Sequence, residues 1–159
     1  MTGTLILEQL LNGIGYGLML FLLAAGLTLV FGIMDMINLA HGSLYMIGAY
    51  LIATIAGASG SFWMGLAGGI AATAVVGVVL ERTVMRRLYQ RDHLAQVLGT
   101  FAILLMANEA VRMVWGAQPV PLNLPAQLAA PVQLLPGFSY PAYRLFIIGV
   151  GLLVALALF

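Results

Sequence analysis

The stretch Gly26–Tyr50 reads GLTLVFGIMDMINLAHGSLYMIGAY and lies between two apolar runs, yet it holds an aspartate, an asparagine, a histidine, a serine and several glycines. Lipid offers no partner for backbone or side-chain polar groups, so such a mixture belongs where it faces protein or water. The stretch is therefore expected to be an irregular break between two membrane helices, close to whatever the chain does.

The rest of the composition fits that setting. Of 159 residues, 63% are hydrophobic and 7% charged, and the mean hydropathy is +1.09. Soluble domains carry about 25% charged residues, so the expected fold class is an all-α polytopic membrane protein with about five transmembrane helices. The net charge of +1 identifies no acidic partner. The absence of cysteine rules out disulfides and thiolate chemistry. The start lacks a basic region, and the apolar run after it is too long for a cleaved signal peptide.

Working outward, the first span is expected over about Leu10–Phe31, with Asn12 and Thr28 as its polar interruptions. Gly13 and Gly17 form a short small-residue pair there. After the break, the apolar run Leu44–Ala58 reaches only about 22 Å of helix against a core of about 30 Å. The second span is therefore expected to start near Asn38. Gly57–Ser61 reads as a turn, and Phe62–Leu80 as a third span with Trp63 at its interface. Gly65, Gly69, Thr73 and Gly77 recur every four residues and predict a ridge for close helix packing, with Gly42 and Gly48 as further small contacts.

The segment ERTVMRRLYQRDH then carries Arg82, Arg86, Arg87 and Arg91, the densest basic cluster, which marks the cytoplasmic side. A fourth span is expected over Leu94–Trp115, with Asn108, Glu109 and Arg112 in its outer third. Glu109 and Arg112, three apart, can pair there on one face. All six prolines fall within Gln118–Pro141, which predicts an external loop with room for a short hairpin. Leu145–Phe159 begins a fifth span. Alternation from the arginine cluster puts the N-terminus outside and the break towards the cytoplasm. Because the last run is apolar to Phe159, the chain reads as cut short within a larger membrane domain.

Catalytic and metal motifs are lacking: neither His41 nor His93 has a carboxylate at a metal-ligand spacing, and no nucleophile elbow or phosphate-binding loop is present. No catalytic residue, metal or cofactor is assigned. Asn38, His41 and Tyr45, spaced by three and four, would share one face of a helix. Two readings stay open for them. They either satisfy the carbonyls and amides of the broken helix, or line a substrate path as polar residues on discontinuous helices do in transporters.

At these residues the chain resembles a known family. The opening stretch resembles the segment near the N-terminus of the inner-membrane permeases of branched-chain amino acid ABC importers, whose core reads GLTLxFGxxxxINxAHGxxxMxGAY, with Ser43 after AHG here. LNGIGYG at Leu11–Gly17, the pattern of Glu81, Arg82 and Arg86, and FAILLMANEAVRMVWG at Phe101–Gly116 extend the likeness along the chain. The resemblance implies a multi-pass subunit of the bacterial inner membrane, not an enzyme itself. It implies a second permease subunit, two cytoplasmic ATP-binding subunits that hydrolyse ATP, a periplasmic substrate-binding protein and the lipid bilayer as partners, with no nucleic acid. Such permeases take leucine, isoleucine and valine, other amino acids, or urea and short amides, and are about twice as long. The competing readings are a membrane scaffold or assembly protein, or a non-transporting permease fragment, and an intramembrane enzyme ranks last for want of a catalytic group.

Overall fold

The computed structural model describes residues 2–158, so the apolar end at Phe159 lies outside the described residues. The chain is an all-α polytopic membrane protein. Helix α1 spans Thr2–Met34, α2 His41–Ser59 and α3 Phe62–Leu80. A π-helical turn, Glu81–Met85, continues α3 into the short α4, Arg86–Leu88. Then follow α5 (His93–Trp115), the single turn α6 (Ala126–Ala129), strands β1 (Pro131–Leu135) and β2 (Phe138–Pro141), and α7 (Ala142–Ala157). Four helices are long and apolar enough to cross a bilayer, and α7 is a shorter apolar helix.

Two elements run past their expected limits. Helix α1 has 33 residues and reaches about 50 Å at 1.5 Å per residue. That exceeds the hydrocarbon core, so the end bearing Glu8 can stand outside it. Past Leu80 the helix does not stop at the basic segment but continues to Leu88, because ERTVMRRL holds no glycine or proline to end it. Arg82, Arg86 and Arg87 are thereby carried on a helical extension beyond the apolar run.

The chain divides into two compact units, one built from Leu27–Asn123 and the other from the residues up to Gly26 with those from Leu124. In the first unit α2 and α3 form an antiparallel helical hairpin. Gly60 closes α2 with φ 66°, and the Ser61 hydroxyl accepts the Met64 N–H at the start of α3. The expected ridge does most of what its spacing predicts. A Cβ on Gly65 would lie 2.7 Å from the Cα of Ala56, one on Gly69 2.8 Å from that of Ile52, and one on Gly48 3.1 Å from Thr73 Oγ1. Gly77 and Gly42 depart from the expectation: a Cβ at either would meet nothing within 4 Å. The register that sets Gly65 on Ala56 and Gly69 on Ile52 would bring Gly77 to Leu44, but there the helices part around an apolar cavity of about 250 Å³ lined by Leu44, Ile47, Val76 and Ile103.

Helix α5 runs parallel to α2. Thr100 meets Ile37, Ile103 packs with Ala40, and Trp115 Nε1–H donates to Thr54 Oγ1 at 2.7 Å, with its ring 5.3 Å from that of Tyr50. Parallel α2 and α5 with antiparallel α3 is what alternate crossings demand. Glu109 and Arg112 pair at 3.7 Å on an exposed face, as their three-residue spacing allows.

In the second unit the proline-rich segment forms the hairpin. Pro131 pairs with Pro141, Val132 with Tyr140 and Gln133 with Ser139, and Gly137 turns the chain at φ 83°. Helices α1 and α7 are parallel, with Asn12 on Arg144, Gly15 on Ile148 and Leu18 on Gly151. First and fifth crossings should be parallel, so α7 has the direction of a fifth span. The Gly13/Gly17 pair plays no part, since a Cβ at either meets nothing within 4 Å. The packed face is instead chosen by Asn12, whose Oδ1 accepts from Tyr140 O–H at 2.8 Å and from Arg144 Nη1–H.

Candidate functional site

The break between α1 and α2 is built by three devices. Asp35 ends α1 in the left-handed region, φ 49°, and its N–H donates to Phe31 O at 2.8 Å. Aspartate tolerates this conformation better than most residues, and it leaves the chain heading away from the helix axis. Met36 and Ala40 then turn inward, 1% and 0% exposed, into a cluster with Met85 and Ile103. Between them Asn38 Oδ1 accepts the Ala40 N–H at 3.0 Å, a local side-chain bond that competes with helix geometry.

That bond corrects the expected start of the second span. Helix α2 begins at His41, not near Asn38. Asn38 is therefore not on a common helical face with His41 and Tyr45. Its side-chain oxygen is spent on the backbone. His41 is half-buried on the first turn of α2, and Tyr45, one turn later on the same face, is 60% exposed.

The break is sealed from behind by α5. Thr100 is fully buried, and its hydroxyl lies 2.9 Å from Gln96 O, 3.2 Å from Val97 O and 3.4 Å from Ile37 O. One hydroxyl has one proton to donate, so the near Gln96 carbonyl is the main acceptor and Ile37 the longer, second one. Gln96 Nε2–H donates to Arg91 O at 3.0 Å, which ties the end of the basic segment to α5, while its Oε1 is buried with no hydrogen-bond partner among the described residues. Thr100 and Gln96 carry no signal in the sequence. They look like two polar residues scattered in an apolar span, and only the fold sets Thr100 against Ile37.

Arg82, Arg86, Arg87 and Arg91 are all exposed, and among the described residues none is ion-paired. Glu81 instead accepts from the Tyr89 hydroxyl across the π-helical turn. Burial, and then that bond, push the Tyr89 phenol up to about 12 from 10.0. A raised phenol stabilises the folded chain while protonated. Its contribution is therefore full below pH 10.0 and is lost only as the pH rises through about 12.

If Asn38 holds the break open through its side-chain oxygen, Asn38→Ala should cost about 1 kcal/mol in thermal unfolding of the detergent-solubilised protein. Asn38→Asp, which keeps the acceptor, should cost less. Equal losses for the two would refute the local bond as the cause.

Comparison with known proteins bears on the whole chain. The family described as branched-chain amino acid transport system / permease component matches residues 9–159. The chain is 30% identical over 125 residues, 73% of its length, to the high-affinity branched-chain amino acid transport system permease protein LivH of Escherichia coli, and equally to LivH of Salmonella typhimurium. It is 30% identical over 166 aligned positions, 96% of its length, to the permease protein BraD of Pseudomonas aeruginosa. These matches cover 41% of LivH and 54% of BraD, so the chain spans about half the length of the curated relatives it matches. No solved structure matches.

Proposed function

The chain belongs to the family of permease components of branched-chain amino acid transport systems, and from that premise we propose that it is a membrane subunit of an ATP-driven importer, forming part of the path for branched-chain or related amino acids. The observation that carries this is a family match running from residue 9 to residue 159, through every span and the break alike. ATP hydrolysis belongs to separate cytoplasmic subunits in this reading. A second permease completes the path, and a periplasmic binding protein delivers substrate to the outer face. The subunit is multi-pass in the bacterial inner membrane, with its N-terminus periplasmic. The exposed arginines on the extension of α3 support that orientation, since cytoplasmic segments carry the excess of arginine.

Within this reading the break lies on the cytoplasmic side. Asn38 and Thr100 hold its backbone, and His41 with Tyr45 present polar groups where a path can pass. Irregular backbone at membrane depth is tolerated where it lines a cavity, and the apolar cavity beside Leu44 and Ile103 adjoins it.

The test is uptake of labelled leucine, isoleucine and valine by the complete importer in liposomes. Uptake should need both ATP and loaded binding protein, and His41→Ala should lower it about fivefold, the low end of coupled-site effects. Wild-type uptake by the His41→Ala importer would remove His41 from the path. No uptake of any amino acid by the wild-type importer would overturn the function itself.

A further inference from the structure

The second unit holds a mostly apolar pocket with a polar edge, between the Asn12–Met19 stretch of α1 and the first turns of α7, that the break does not involve. Its volume is about 320 Å³, within the range of small-molecule sites. Asn12, Tyr140, Tyr143 and Arg144 make its polar side, and Met19 and Ile147 its apolar side. Tyr140 is 1% exposed and held by Asn12 at 2.8 Å, with its ring stacked on Phe138 at 6.2 Å. Arg144 Nε–H donates to Tyr143 O–H at 3.0 Å, and the guanidinium lies 6.0 and 5.8 Å from the Tyr140 and Tyr143 ring centres.

Every group shown holding Arg144 is therefore neutral. Glu8 stands one turn before Asn12 on the same face of α1, but among the described residues no carboxylate pairs with Arg144. An arginine at the head of an apolar helix, partly exposed and held by neutral groups, keeps donors for an anion. Its planar fork matches a carboxylate with two parallel hydrogen bonds. The adjoining wall of Met19 and Ile147 suits an aliphatic side chain. We propose that this pocket, resting on the importer reading above, recognises the carboxylate of an amino acid with an apolar side chain as it arrives at the outer face. Arg144 takes the carboxylate, Asn12 and the two tyrosines hold the guanidinium, and Met19 with Ile147 receive the side chain.

The experiment measures saturation-transfer NMR of leucine with the complete permease complex in nanodiscs without binding protein. Leucinamide, which lacks the carboxylate, is the comparison. Leucine should bind and leucinamide should not. Arg144→Gln should weaken leucine binding about tenfold or more, while Arg144→Lys keeps part of it. Equal binding of leucine and leucinamide to the wild-type complex overturns the proposal, and that arm needs no variant to fold. So does an Arg144→Gln complex that stays monodisperse and binds leucine as before. An arginine that serves an anionic headgroup instead would show leucine binding only in purely zwitterionic nanodiscs, or none, and photocrosslinking to phosphatidylglycerol. That result also overturns it. The two readings fail separately: loss of all amino acid uptake in the wild-type importer removes the transport function, whereas normal uptake and KM in Arg144→Gln removes only this site.

Discussion

Replacing Gly69 by alanine should markedly reduce the folded fraction of the protein, and the same change at Gly77 should leave it unaltered. The new Cβ at position 69 would sit 2.8 Å from the Cα of Ile52 and 2.9 Å from its nitrogen. Both neighbours are backbone, so no rotamer change relieves the contact and α2 must move away from α3. Overpacking by one carbon costs about 1–3 kcal/mol where side chains can shift, and more is expected where they cannot. Gly65→Ala, against the Cα of Ala56 at 2.7 Å, should behave alike, and the double variant should fail to accumulate as monodisperse protein. Small-residue contacts let van der Waals packing hold helices together in a bilayer, where apolar burial drives little. Fluorescence-detected size exclusion after a temperature ramp reads the effect. A Gly69→Ala midpoint equal to that of wild type would show that the two helices are not held by this ridge.

Met36→Ala should be the second large loss, about 2–4 kcal/mol. Met36 is 1% exposed and fills the space among Ala40, Met85 and Ile103, so it joins the break to the end of α3 and to α5. Methionine is flexible enough to fill an irregular gap, and truncating it leaves a void that rigid helix ends cannot close. Met36→Leu, nearly volume-conserving, should cost less than about 1.5 kcal/mol. Hydrogen exchange offers a local readout. The amides of Ala40 and Ser43, bonded to Asn38 Oδ1 and Ala40 O, should lose protection in Met36→Ala before those in the middle of α2. Uniform protection across both variants would mean that the buried methionine does not hold the break.

The break shows how far the sequence could be read. Polar residues and glycines between two apolar runs located it, because lipid forbids that mixture on a straight span. The side-chain geometry escaped. Asn38, His41 and Tyr45 share a face only if the helix includes Asn38, and the Asx bond to Ala40 excludes it. The glycine ridge was legible at Gly65 and Gly69 through its four-residue period. Gly77 keeps that period but lies where the helices have parted. Asn12 was visible as an interruption of an apolar run, while Arg144 drew no notice, since a lone arginine near a span is ordinary topology until a distant asparagine and two tyrosines meet it.

The sequence by itself determined the class, the number and order of the apolar helices, the place of the break and the hairpin region between the last two spans, and it bounded a turn within Gly57–Ser61 that the structure narrows to Gly60 and Ser61. Those follow from local properties: transfer of apolar runs into lipid, the backbone freedom of glycine, the missing N–H of proline, and the family pattern along Gly26–Tyr50. Tertiary structure decided which glycines touch, which residues seal the break and which side chains surround Arg144. Each depends on pairs far apart in the chain, such as Ile37 with Thr100 or Asn12 with Arg144. A period along one helix specifies a face but not the residue that the face will meet.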